Sequence, residues 1–370
     1  MPLQLHWFLP AHGDGRALSR RAGAGVRGAQ RQPDITYLTQ VACAADQLGF
    51  AGMLLPAGLF CEDPWLLAAA LATRTERVRF MVAFRPGLLS PTLAAQMAAT
   101  AQRLTGDRLL LNVVTGGDPT EQRRYGDWHD HDQRYERADE FLAIMRGAWS
   151  GDPLDFTGAH YDVRAAVTTR PPATHPTVFL GGSSAAAQRV AARHADVYLA
   201  WGETPPLLVD LFDQARLTAA AEGRALAFGT RFNVITRDTA EQAWAEADQL
   251  LGELDPAMVT AAQARFRRTE SEGQRRMAAL HDGQLDRLEV YPNVWAGFGL
   301  LRPGAGAALV GSHAEVADRI VELHELGVEH LILSGQPHLE EAYWFGEGVM
   351  PLLRERGVFD PRPAAAAART

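Results

Sequence analysis

The chemistry of this chain is concentrated in a few short stretches. In FGTRFNV, Arg231 and Asn233 alternate with apolar neighbours, so both project from one face of a strand. A guanidinium in a core strand is costly unless an anion accompanies it. Two readings stay open for Arg231: an ion pair with a core carboxylate, or a planar cation that holds an anionic substrate group. A second cluster runs LLLNVVTGGDP from Leu109 to Pro119, then HDQRYERADEF from His131 to Phe141. The first piece is a buried strand ending in Asn112 and Thr115. The second opens a helix whose apolar positions Tyr135, Ala138, Leu142 and Met145 fall at helical spacing. His131 and Tyr135 are four apart and share one face of its first turn. The pattern suits a polar, phosphorylated ligand. Gly181, Gly182, Ser183 and Ser184 open another helix, either as a phosphate cradle or as an ordinary N-cap.

Other reactive groups follow strand ends. His12 follows the first strand, Cys61 lies after the second and Arg85 ends the third. Trp201 ends the sixth, and Gln336 and His338 follow the last. By residue type alone, Cys61 reads as a small buried apolar side chain rather than a nucleophile, and Cys43 as core. Trp201 either fills a barrel mouth or faces a flat ring ligand. Arg16, Arg20, Arg21, Arg27 and Arg31 read as a solvated loop. There is no HExxH or CxxC, so no metal site is expected, and no GxSxG elbow for a serine hydrolase. The chain has no lysine, which excludes Schiff-base chemistry and a Walker A loop.

Eight short apolar runs position these groups: Leu3 to Pro10, Ala51 to Pro56, Val78 to Phe84, Leu109 to Val114, Thr177 to Gly182, Val197 to Trp201, Phe228 to Thr236 and His330 to Gly335. They alternate with helix-period segments, the mark of parallel strands buried on both faces. Helix starts are legible at Ser90-Pro91, at Thr204-Pro205 and at the capping box of Ser312 and Glu315, with stops at Gly106 and Gly327. Together they predict an α/β fold, a (β/α)8 TIM barrel with insertions, whose active site lies at the C-terminal ends of the strands. Three segments break the rhythm: a Gly/Arg-rich loop from Gly13 to Pro33, a small hairpin from Asp155 to Val163, and an insertion from Asp255 to Val310 long enough to serve as a lid. One domain over residues 1–353, followed by a tail over 354–370 with a frayed Ala364 to Ala368, is expected.

The 370 residues include nearly half apolar ones, enough for one large core. A net charge of −8 argues against nucleic acid as partner. Two cysteines cannot build a disulfide framework, and no run has transmembrane length or the form of a signal peptide. These features predict a cytoplasmic protein that does not engage membranes.

WFLPAHGDG, CEDPW, the NVVTGGDP and HDQRYE pair, FLGGSS, WGE and SGQPHLEEAY occur in order along the chain. Together they resemble the bacterial luciferase-like flavin monooxygenases, most closely the FMNH2-dependent alkanesulfonate monooxygenases, over Leu3 to about Leu353. The resemblance implies reduced FMN delivered by a separate NAD(P)H-dependent FMN reductase, O2 as cosubstrate, and a peroxyflavin that converts a small organosulfonate to an aldehyde and sulfite. It implies flavin contacts at Asn112, Thr115, His131, Tyr135, Ser183 and Ser184, the last four at the phosphate. It places Cys61, His12, Trp201, Arg231, Arg302 and His338 around the reaction pocket, with Arg302 swinging in as the insertion closes. A homodimer or homotetramer is implied as well.

Two positions depart from that pattern. The sulfonatases typically carry His where this chain has Asn233 and Tyr where it has Gln336, so both positions keep hydrogen bonding and lose a titratable group. A base would then be His12 or His338, with Arg231 acting by charge. Other readings are a relative acting on a sulfone or alkane, one using the deazaflavin F420, or a flavin-binding barrel without turnover.

Overall fold

A computed structural model describes residues 2–15, 31–252 and 254–360. Arg16, Arg20, Arg21, Arg27 and the stretch Ala364 to Ala368 lie outside the described residues. Eight parallel strands close into a barrel: β1 Gln4–Phe8, β2 Gly52–Leu55, β3 Arg79–Phe84, β4 Leu109–Val113, β5 Thr177–Gly181, β6 Val197–Trp201, β7 Ala227–Arg237 and β8 Val328–Ser334. β8 pairs with β1 and closes the ring. The eight apolar runs read from the sequence are these strands, each within a few residues at its ends.

Side chains alternate along every strand, so each supplies one set to the lumen and one to the surrounding helices. Phe8, Leu54, Met81, Ala83, Leu110, Phe179, Leu199 and Ile332 form the inner cluster. Near the N-terminal ends of the strands the filling turns polar. His6 Nε2 lies 3.0 Å from His330 Nδ1, and the Arg79 guanidinium donates to Gln4 at 3.0 Å. Gly52 is required beside this pair, because a Cβ there would stand 2.6 Å from His6 Nδ1.

The outer helices begin and end where their caps say they should. Ser90 caps Pro91–Thr105, and Gly106 ends it at φ 65°. Ser312 and Glu315 form both bonds of the capping box of His313–Glu325. Pro205–Ala221 starts as expected, although the Thr204 side chain makes no cap bond. The hairpin forms from Leu154–Thr157 and Asp162–Ala166. Cys43 corrects an expectation: it is half-buried, with its Sγ 3.4 Å from the Arg74 carbonyl, because its helix turns that face toward the turn after Pro64–Ala72 rather than the core.

β7 is the strand that builds the mouth. Its first half pairs with β6 as far as Trp201 opposite Arg231. Its second half, Asn233 to Arg237, pairs in parallel with Ala308–Ser312 from the insertion. The rest of the insertion folds as helices Pro256–Phe266 and Glu272–His281 and a small antiparallel pair, Glu289–Tyr291 with Val294–Trp295. Asn233 sits at the fork. Its amide nitrogen donates to the carbonyls of Ala305 at 3.0 Å and Ala307 at 3.1 Å, and its carbonyl accepts from Ser334 Oγ at 2.9 Å. That amide is spent on joining the insertion to the barrel.

Candidate active site

Phe8, the last residue of β1, organises the mouth. The Arg231 guanidinium carbon lies 4.1 Å from its ring centroid. The His338 ring is 5.7 Å away and the His12 ring 6.2 Å. Three of the residues expected in the reaction pocket therefore gather around one aromatic ring that the sequence reading passed over. The signal was available: Phe8 continues the inward register of Gln4 and His6.

Arg231 carries no carboxylate partner among the described residues, and its Nε is buried without a hydrogen bond. Burial and the like charge of Arg302 lower its pKa to about 10, and Cys61 offsets them in part. Arg302 and Cys61 are thus its titratable neighbours. Of the two readings left open by the sequence, the core ion pair is absent. The like charge of Arg302 disfavours the Arg231 cation, and a bound anion would favour it. Cys61 itself is half-buried against the main core.

His338 is held from behind. Asp14 accepts from the His338 backbone N–H at 2.7 Å and lies 3.0 Å from its ring Nδ1. The Tyr37 hydroxyl donates to the same carboxylate. Burial alone would push the Asp14 carboxyl up, yet His338 and Tyr37 hold it down at about 2. Asp14 also pairs through its backbone with Arg31, whose guanidinium grips Glu340. Arg31, read as part of a solvated loop, is in fact an anchor.

The second half of the site lies across β4 and β5. The Tyr135 hydroxyl is within reach of the Thr115 and Ser184 side chains. The His131 ring stands 5.0 Å from the Tyr135 ring. Ser184 caps Ala185–His194, accepting from Ala187 N, so the N-terminus of that helix points into the same place. Gly182, at φ 147°, lets the backbone approach: a Cβ would sit 2.6 Å from Tyr135 Oη. Ser183 stands half-buried at the same helix start. Asn112 is buried, with its side-chain carbonyl oxygen lacking a partner. An orphaned amide oxygen beside a hydroxyl-lined, helix-capped cradle fits the ring and phosphate of a flavin mononucleotide.

The insertion closes over both halves. Gly273 and Gly304 lie against the Trp201 indole. Glu203, buried just after β6, holds Arg276 at 2.6 Å. On the other side Glu270 takes Arg134 at 2.7 Å, and its backbone N–H donates to the Gly117 carbonyl at 3.1 Å. Arg134 is buried and precedes Tyr135, so the lid latches directly onto the helix of the phosphate cradle. Neither ion pair was anticipated, since each joins residues far apart in sequence. Gln336 follows β8 at the same rim, immediately before Pro337 and His338.

Among the described residues no group of His, Cys, Asp and Glu could hold a metal ion, and no helix is long and apolar enough to cross a membrane. The family model described as luciferase-like monooxygenase matches residues 3–330. Solved structures share the fold. A riboflavin lyase crystallised with modified FMN and riboflavin superposes with a TM-score of 0.78 at 22% identity, covering 98% of this chain and 93% of its own. The EDTA monooxygenase from Chelativorans sp. BNC1 gives 0.77 at 21% identity, covering 98% and 96%. A long-chain alkane monooxygenase gives 0.76 at 20% identity, covering 97% and 93%.

Proposed function

The chain belongs to the luciferase-like monooxygenase family, and from that premise we propose a two-component, FMNH2-dependent monooxygenase that desulfonates alkanesulfonates to an aldehyde and sulfite. One observation carries the choice of substrate. The barrel mouth holds a half-buried guanidinium, Arg231, whose Nε is sealed without a hydrogen bond and which has no carboxylate partner among the described residues. A neutral alkane or sulfone would leave that charge uncompensated, whereas a sulfonate carries a negative charge spread over three acceptor oxygens on a tetrahedral sulfur.

Asn112, Thr115, His131, Tyr135, Ser183 and Ser184 would hold the flavin, with the helix start at Ser184 taking the phosphate. Bound reduced FMN, delivered by an NAD(P)H-dependent reductase, supplies with O2 the oxygen atom that enters the substrate. The chain's own residues do the rest. Arg231 and Arg302 orient the sulfonate and stabilise negative charge as it develops in the closed pocket. Phe8 fixes the Arg231 plane by cation–π contact. Trp201 and the two ion-paired straps keep water out while the lid is down. His12 and His338 are the ring nitrogens near the pocket able to take a proton, since the Asn233 amide is committed elsewhere. A homo-oligomer is part of the same reading.

The experiment is release of aldehyde, with sulfite from a sulfonate or alkanesulfinate from a sulfone, using FMN, NADPH and a flavin reductase, across sulfonates of increasing chain length with a dialkyl sulfone as control. Release from at least one sulfonate and none from the sulfone supports the proposal. Turnover of the sulfone alone would replace it.

A further inference from the structure

We infer that Asp14 is the positioning residue of the site: it fixes the His338 imidazole as the Nδ1–H tautomer, leaving Nε2 as the proton acceptor at the mouth. The inference rests on the proposed desulfonation for the proton it moves, but not for its geometry. Asp14 presents both carboxylate oxygens to His338, one 2.7 Å from the backbone nitrogen and one 3.0 Å from Nδ1. The backbone nitrogen can only donate. The carboxylate, kept ionised by its surroundings, can only accept. The proton between Asp14 and the ring must therefore sit on Nδ1, which in the neutral imidazole places the lone pair on Nε2. The ring is also packed at 5.7 Å against Phe8, which carries Arg231 on its own face.

The support behind Asp14 is unusually complete. Tyr37 donates to it from the helix Ile35–Leu48, Arg31 reaches Tyr37 at 3.3 Å, and Glu340, two residues after His338, takes Arg31 at 2.8 Å. Those groups face the imidazole from behind, with His12 and Arg231 around Phe8 in front. The arrangement spans three parts of the chain brought together only by barrel closure, and none of Asp14, Tyr37, Arg31 and Glu340 was singled out as reactive by the sequence. The step it serves is a proton transfer. An α-hydroxysulfonate gives its hydroxyl proton to Nε2, the oxygen lone pair forms the aldehyde C=O bond, and the C–S bond breaks with its electron pair leaving as sulfite. No further oxidant or reductant is required.

Asp14→Asn tests it. An Asn must aim its NH2 group at either the backbone N–H or the ring, and the backbone forces it toward the ring, where it donates to Nδ1 and drives the proton to Nε2. The tautomer is read in the flavin-free protein by 1H–15N correlation of the imidazole, with His338→Gln identifying the signal. The expected result is Nδ1–H in the parent and Nε2–H in Asp14→Asn. In turnover, kcat should fall about 100-fold with KM little changed. Tyr37→Phe, which leaves both contacts to His338 intact, should keep the parent tautomer and most of kcat. An Nε2–H tautomer in the parent, or an Asp14→Asn protein with the parent tautomer and full kcat, overturns the inference. Absence of any sulfonate turnover by the parent would count against the proposed reaction alone, because the tautomer decides the role of Asp14 separately.

Discussion

The Arg231 guanidinium lies 4.1 Å over the Phe8 ring, half-buried with its Nε sealed, and no acidic side chain among the described residues pairs with it. A protein keeps such a charge at a cost to its own stability, and the return is recognition of something outside the chain. Replacing Arg231 with Met keeps the volume and removes the uncompensated charge. The melting temperature should rise, by about 2–4 °C for a chain of this size, while kcat/KM for a sulfonate falls by at least about 100-fold. Differential scanning calorimetry and sulfite release measure the two. A Met variant that melts earlier would mean that the guanidinium is part of the scaffold.

Lid closure depends on two ion pairs with different anchors. Arg134→Gln removes the latch on the phosphate-cradle helix and leaves Glu270 half-exposed, where it rehydrates at little cost. The chain should fold normally. Thermolysin should cut faster between residues 255 and 310, and hydrogen peroxide released per NADPH should rise several-fold at the expense of sulfite. Arg276→Ala has a different signature: it strands the buried Glu203 carboxylate, so stability should drop by about 3–5 kcal/mol in urea unfolding.

The polar end of the barrel sets an acid limit. Burial lowers the pKa of His330 to about 3, and burial with the neighbouring His330 and Arg79 charges holds His6 well below the ordinary imidazole value of about 6.5. Between those values the unfolded chain binds protons that the folded chain refuses. The stability contributed by the neutral pair is therefore complete above about pH 6.5 and is lost as pH falls from there toward about 3. Urea midpoints should decline across that window, and His330→Gln should flatten the decline by about one proton's worth, about 1.4 kcal/mol per pH unit. Equal slopes in parent and variant would contradict the assignment.

The phosphate seat is tested at its glycine. Gly182→Ala puts a methyl group 2.6 Å from Tyr135 Oη at a φ of 147° that side chains rarely adopt. FMN affinity, read by quenching of flavin fluorescence, should weaken by at least about tenfold, since the cradle must open to admit the methyl. Unchanged affinity would move the seat elsewhere.

The barrel was legible because its strands announce themselves locally: apolar runs of strand length, each followed by a capped helix. The same holds for His131 and Tyr135, whose spacing alone puts them together. Asp14 and Phe8 were not legible as site residues. Phe8 looks like any core aromatic until Arg231 is found over it, and Asp14 meets His338 only when the first and last strands close the ring. Asn233 shows the limit of strand alternation, which puts it on one face with Arg231 and is silent on its partners; the fork in β7 assigns its amide to the carbonyls of Ala305 and Ala307. The pairing of Asn233 to Arg237 with residues 308–312 joins segments about seventy residues apart, which no periodicity reports.

The cationic pocket is tested most directly by binding in the flavin-loaded protein, comparing octanesulfonate with a neutral sulfone of matched length in the parent and in Arg231→Ala. The account predicts at least about tenfold tighter binding of the sulfonate by the parent, and a preference that disappears in the variant. Equal affinities in the parent, or a sulfonate preference that survives without Arg231, would contradict it.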